Sequence, residues 1–237
     1  MPAPVTHEFT FSTGFNTSPV SLTLTTTQTN YVAVLQVYNE NTGSLARTTT
    51  ITSTTGHTWT LRKRSNASAT GCLEWWWTSG TTAGSINATI TFSGAYDDYA
   101  ALMAVVTGCG SLTTPFDANA GLPAAHSSTT TSWTPSFTGV NTSNANDLLL
   151  FLTGQAAASG TPASGFTTVT NVSTGGGSWA AGTQMDAKSV SAVQSGATFT
   201  LGSAVGAFGS AGEAIFDALS SVAAVGGGAQ ARVMVMA

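Results

Sequence analysis

Charge is what this sequence has least of. Lys, Arg, Asp and Glu make up 7% of its 237 residues, against roughly 25% in an ordinary soluble domain. Six cations are too few for a groove that displaces counterions from nucleic acid. They are also too few for a polybasic patch on anionic lipid. No apolar run approaches the roughly 20 residues that span a bilayer. Nucleic acid and membrane are therefore excluded as expected partners. Disorder is excluded as well, because 42% of the residues are hydrophobic and disordered chains pair low hydrophobicity with high net charge. The start, Met-Pro-Ala-Pro-Val-Thr-His, has neither the cationic nor the apolar region of a secretion signal. The expectation is a protein that is made in a cytoplasm and either stays there or leaves by another route.

Groups that do chemistry are equally sparse. There is no Gly-rich phosphate loop with its Lys, no Gly-x-Ser-x-Gly elbow and no His-Glu-x-x-His. His7, His57 and His126 lie far from one another in the sequence, which is not the spacing of a metal triad. Asp97-Asp98 is the one adjacent carboxylate pair. It falls in a turn entering a strand, where loop amides or at most a Ca²⁺ ion are the expected partners. Asp117, in Pro-Phe-Asp-Ala-Asn, reads as an Asx turn. Cys72 opens one strand and Cys109 follows another two strands later, so they fall at opposite ends of a sheet, beyond the ~7 Å Cα limit for a disulfide. Free thiols are expected. The reading is a protein that is not an enzyme, with no catalytic residue, metal or cofactor.

What is abundant is strand-forming sequence. Thr is the most frequent residue; it is β-branched and polar, which suits the solvent side of a sheet. Strand patterns run over Val20 to Thr26, Tyr31 to Tyr38, Thr58 to Arg64, Leu73 to Trp77, Ile86 to Phe92 and Tyr99 to Val106, with turn clusters between them. The second half repeats the first in order. Ser132 to Thr153 parallels Ser18 to Val37, Gly165-Phe166-Thr167 parallels Gly56-His57-Thr58, and Ala197 to Thr200 parallels Ala88 to Thr91. The last match is between Ala100 to Val106 and Ala214 to Leu219.

The expected fold is all-β. It is an antiparallel β-sandwich of jelly-roll type, built from two similar strand sets and followed by an extended C-terminal tail. Residues 1–219 form the sandwich, with halves at about 8–107 and 127–219. Two stacked small sandwiches are the alternative, but the segment from Gly108 to Ala125 reads as a long crossover loop and favours one. Ser210 to Val225 fits either a capped helix or a strand, and the repeat favours a strand over Ala214 to Leu219. Residues 220–237 are a Gly-containing arm ending in Arg232, Val233, Met234, Val235 and Met236. Past such a swivel, a strand-like end can add to a neighbour's sheet.

Cys-Leu-Glu-Trp-Trp-Trp is the most distinctive local feature. Period-two alternation puts Leu73, Trp75 and Trp77 on one face, with Glu74 and Trp76 on the other. A hairpin with Arg64 opposite Glu74 places Arg62 opposite Trp76 and leaves Trp76 partly exposed. The favoured reading is that Arg62 covers the ring in a cation–π contact, with an interface anchor or a sugar platform as the functional alternatives.

From Thr58 to Ala125 the order of motifs resembles a group of poorly characterised phage and prophage virion-type β-sandwich proteins. These motifs are Trp-Thr-Leu-Arg-Lys-Arg, Leu-Glu-Trp-Trp, Thr-Ile-Thr-Phe-Ser-Gly, Ala-Val-Val-Thr-Gly-Cys and Pro-Phe-Asp-Ala-Asn-Ala-Gly-Leu-Pro-Ala. The resemblance implies a structural virion component of a tailed phage: a head decoration, fibre or tail accessory protein. Its partners would be other virion proteins and copies of itself. The low charge agrees, since a surface covered by neighbours needs few charges to stay soluble. Expected interface residues are the tail Arg232 to Met236 and the N-terminal arm with Pro2 and Val5. The alternative is a carbohydrate-binding module or adhesin that takes a host glycan on Trp76, with Trp133 or Trp179 near loop ends.

Overall fold

The structure is a computed structural model that describes residues 2–15, 18–40, 49–66, 71–94, 98–130, 132–155, 160–174, 181–206 and 212–221. The first half supplies β1 (Val5–Phe15), β2 (Val20–Thr26), β3 (Tyr31–Glu40), β4 (Thr49–Thr52), β5 (Thr60–Ser65), β6 (Gly71–Gly80), β7 (Gly84–Phe92) and β8 (Asp98–Thr107). The second supplies β9 (Ala124–Ser128), β10 (Ser132–Trp133), β11 (Ser136–Val140), β12 (Asp147–Gln155) and β13 (Thr167–Ser173). It continues with β14 (Gly182–Ser189), β15 (Ala197–Thr200), β16 (Val205–Gly206) and β17 (Gly212–Ser220). The segment with both helix and strand signals is thus a strand over Gly212–Ser220.

Every sheet draws its strands from one half only. The first half makes a five-stranded sheet, β1-β8-β3-β6-β5, and a three-stranded sheet, β2-β7-β4. The second makes β13-β14-β12-β17-β9 and the pairs β11-β15 and β10-β16. Read from β9, the second large sheet runs β9-β17-β12-β14-β13, the counterpart of β1-β8-β3-β6-β5. The segments matched in the sequence are the strands that correspond here. The arrangement is therefore all-β and sandwich-like, as expected, with the two halves stacked back to back, each bringing its own large sheet and smaller sheets. The crossover segment carries the chain from the first half to the second.

Three apolar layers separate the four sheet layers. Leu22, Leu24, Ile86 and Ile90 of the small sheet pack on Leu35, Trp76, Met103 and Val105 of the large one. The large sheets meet through Val32, Val34, Tyr38, Trp75 and Leu102 on one side and Leu148, Leu150, Leu152, Met185 and Ile215 on the other. The third layer is aromatic: Phe137, Phe151, Phe166, Phe199 and Phe216, with Phe199 and Phe216 stacked at 5.1 Å.

A large sheet covered on both faces needs unbroken apolar strands. Tyr31–Glu40, Asp98–Thr107 and Asp147–Gln155 are such runs, buried along nearly their whole length. The small outer sheets alternate instead. In Val20–Thr26 the side chains at Ser21, Thr23 and Thr25 are exposed. Hydroxyls take the place that charges usually hold on an outer face.

The stack of the two halves is fixed by close contacts. Gly154 lies against Tyr38 so tightly that a methyl group there would stand 2.3 Å from the ring. Gln36 donates from its side chain to the carbonyl oxygens of Thr153, at 2.8 Å, and Gln184, at 3.3 Å. The crossover segment then lies along β17: Phe116 bridges Leu219, Asp117 N donates to Ala218 O and Ser220 N donates to Pro115 O. Asp117 forms the expected Asx turn, accepting from Asn119 N at 2.8 Å. It also accepts from the backbone N–H groups of Ser143 and Asn144.

Candidate functional site

Among the described residues, the long unpaired sheet edge with an apolar face is β1. The strand pairs with β8 on one side and terminates its sheet. Its sequence alternates strictly from Glu8 to Ser12. Phe9 is paired with Ala104, Phe11 with Leu102 and Phe15 with Asp98, so the three rings stand on the face by which Leu102 and Ala104 meet the second half. They stand at 46%, 53% and 59% exposure, whereas Leu102 and Ala104 are fully buried. Val5, at 52%, begins the same edge. At roughly 150–250 Å² per ring, the three phenylalanines present about 250–400 Å² of apolar surface. That is the scale of the largest patch on a monomer, roughly 300–600 Å² and often functional.

The opposite face of β1 is held to its own half. Glu8 accepts from the hydroxyls of Thr26 and Thr27 and from Thr27 N. Ser12 and Tyr99 hydroxyls share a 2.9 Å hydrogen bond. Slight burial opposes the charge on Glu8. Hydrogen bonds from the backbone and from Thr27 and Gln28 outweigh it and bring the pKa down to about 2. The strand is thus rigidly seated while its rings remain uncovered.

The other edges of the two large sheets carry devices that discourage strand addition. β5 is bulged and bears Arg62, Lys63 and Arg64, three of the six cations of the chain. β13 is bulged and made mainly of Thr, Asn and Ser. β9 is five residues long. β1 has a register shift between Thr6 and Phe9, but from Phe9 to Phe15 it holds no charge, no proline and no bulge. Beside its start, a groove of about 270 Å³ runs between Val5, Thr6 and the Thr167–Val169 and Ala187–Ser189 segments of the second half.

The residues singled out in the sequence fall in several places. Pro2 is exposed just ahead of β1, and Val5 is the first residue of that strand rather than part of a free arm. Arg232, Val233, Met234, Val235 and Met236 lie outside the described residues, as does Trp179. Trp76 is corrected: it is 9% exposed, inside the first apolar layer, and its Nε1 donates to the buried Glu74 at 3.0 Å. The alternation placed it on the right face, but that face is covered by the small sheet. Trp133 is buried too.

Arg64 pairs with Glu74 as expected. Arg62 does not sit opposite Trp76. A bulge between Leu61 and Lys63 turns it toward the second half, where its Nε lies 3.0 Å from Asp217 and its guanidinium 4.2 Å above Phe116. Trp75 Nε1 donates to the same carboxylate at 3.1 Å.

Among the described residues the histidines do not converge. His7 bonds Thr107, His57 bonds Tyr31, and His126 rests edge-on to Trp133. Asp98 is a buried strand residue rather than part of an open turn, and Asp97 lies outside the described residues. Asp147 is buried facing Asp117, Thr142 and Ser220; burial first, then the charge of Asp117, pushes its pKa up to about 7. Among the described residues no group of three His, Cys, Asp or Glu is placed to hold a metal. Both cysteines are free thiols, at opposite ends of the first large sheet.

Comparison with protein-family models, curated proteins and solved structures finds no match. The functional reading therefore rests on this chain's own geometry.

The sequence held a signal for the β1 stripe that the strand patterns above do not include. Phe9-Thr10-Phe11-Ser12 is a period-two run. Its meaning depends on what lies beside it in space, and only the sheet order supplies that.

Proposed function

We propose that this chain is a structural subunit of an assembly, a virion component of a tailed phage that works through subunit–subunit contacts. The observation that carries the reading is the uncovered aromatic stripe of β1 on an unprotected sheet edge. Backbone hydrogen bonding along such an edge gives affinity, and the side-chain stripe gives selectivity. The Thr-rich outer faces support the same reading, since a charge-poor exterior suits a protein packed among neighbours. The strand order supports the jelly-roll character: β1-β8-β3-β6 in one sheet and β2-β7-β4 in the other interleave the chain as two Greek keys do.

The virion placement draws on the resemblance between Thr58 and Ala125. Its test is quantitative mass spectrometry of purified particles from a phage that encodes the chain. A fixed copy number per particle is expected, and absence from intact particles would refute the placement. The glycan reading loses its aromatic platform at Trp76, because a ring buried between two sheets cannot stack on a sugar.

A further inference from the structure

Resting on the assembly reading above, we propose that the outer edge of β1 seats the C-terminal segment Arg232 to Met236 of a second copy of this chain. The second copy would pair its backbone with β1 from Phe9 to Phe15 and lay apolar side chains against Phe9 and Phe11.

The path of the chain leads there. β17 ends at Ser220, whose carbonyl accepts from Gly110 N at 2.9 Å. Two residues away, Gly108 packs on Pro4, where a methyl group on the glycine would lie 3.4 Å from the Pro4 Cα. The tail therefore leaves the fold beside the start of β1. In the other half, the chain that leaves β8 has a berth: it runs alongside β17, in line with β9, with Phe116 bridging Leu219. The corresponding berth alongside β8, in line with β1, is already filled by the chain's own start, with Val5 paired to Thr107 and Thr6 to Val106. The outer side of β1 is the sheet edge that lies beside this exit; the other edge, β5, is bulged and carries Arg62, Lys63 and Arg64.

Reach and direction favour a neighbour's β1 over the chain's own. Every ladder between named strands in this protein is antiparallel. To run antiparallel to its own β1, the tail would first have to travel to Phe15, about 35 Å for eleven residues at roughly 3.3 Å each. Residues 221–230 cover at most about 33–36 Å when fully extended, which leaves nothing for the reversal. A second copy can present its β1 in the antiparallel sense at any distance the tail spans.

The chemistry matches as well. Val233-Met234-Val235-Met236 is an uninterrupted apolar run that follows Gly226-Gly227-Gly228 in the sequence, and it supplies apolar side chains for Phe9 and Phe11.

The test uses the full chain with Cys109→Ser, so that the partly exposed native thiol does not interfere. One preparation carries Phe11→Cys and another Val233→Cys, and the two are mixed under mild oxidation. A disulfide-linked dimer that forms only on mixing is expected. Linkage within a chain carrying both substitutions, at any dilution, would overturn the proposal in favour of the chain's own edge. Linkage between two Phe11→Cys chains without Val233→Cys would overturn it in favour of β1 pairing with β1, and no linkage would also overturn it.

Sedimentation of a chain ending at Val225 separates this inference from the assembly reading. A monomer is expected, beside an oligomeric full chain. An oligomer unchanged by truncation removes the tail contact and leaves the assembly reading intact. A full chain that is itself monomeric removes both. Because truncation alone could have indirect effects, a synthetic peptide of residues 229–237 is added to the truncated chain. It should bind saturably, and at least tenfold more weakly when Phe9 and Phe11 are both changed to Thr; equal binding would count against the proposed seat.

Discussion

Replacing Arg62 by Leu should separate the two halves energetically without touching either small sheet. Arg62 reaches from the bulge in β5 to Asp217 of β17, with Nε to Oδ2 at 3.0 Å and a second guanidinium nitrogen to Oδ1 at 3.2 Å. Asp217 is fully buried, and its remaining partners are Trp75 Nε1 and the Ala218 N–H. Burial raises the pKa of this carboxyl and Arg62 opposes the rise. Removing one partner of a buried pair costs about 3–5 kcal/mol. The Arg62 side chain keeps 23% of its surface in water, so about 2–4 kcal/mol is the expectation for this site. At roughly 2–4 °C per kcal/mol for a chain of this size, the melting temperature should fall by about 5–15 °C.

The pH dependence is specific to the mechanism. Without Arg62 the folded-state pKa of Asp217 rises further above its unfolded value, so the fold retains a proton that the unfolded chain gives up. Stability is then kept at low pH and lost as pH rises through the raised pKa. The deficit should be larger at pH 8 than at pH 5, and Asp217→Asn in the Arg62→Leu background should recover part of it. Denaturant titration at both pH values is the assay. A variant within about 0.5 kcal/mol of the parent, or a deficit independent of pH, would refute the reasoning.

Three further outcomes are expected. Asp147 has its pKa pushed up to about 7, so its contribution is complete below its unfolded value near 4 and fades as pH rises from about 4 to 7; Asp147→Asn should flatten that part of a melting curve series. Trp76→Ala should destabilise the fold by about 3–5 kcal/mol in urea, because the ring is a core group rather than a surface platform. Cys109, whose pKa burial pushes up to about 12, should react with a thiol reagent at pH 8 far more slowly in the folded chain than in urea.

Much of the architecture is legible along the chain. Tyr31 to Tyr38 and Tyr99 to Val106 are continuous apolar runs of strand length, and both become strands covered on two faces. The ordered similarity of the halves anticipates two sheets with corresponding strand orders. Alternation sorts Trp75 from Trp76 correctly, but it tells only that two side chains point apart. Which of the two faces meets water depends on how many layers are stacked, and here neither large sheet has a free face over its centre. Arg62 escapes for a different reason. A bulge inserts one residue and reverses the face of its side chain, and nothing in Thr-Leu-Arg-Lys-Arg marks where the ladder slips. The β1 stripe is the converse case: its alternation is plain, but its exposure depends on how far the second half reaches over it, which the alternation does not carry.

Sedimentation velocity of the full chain across a hundredfold concentration range, beside a chain carrying Phe9→Thr, Phe11→Thr and Phe15→Thr, tests the central claim most directly. The account predicts that the parent associates and that the triple variant, still folded with a cooperative melt, sediments as a monomer. A parent that stays monomeric throughout, or a variant that associates equally well, would contradict it.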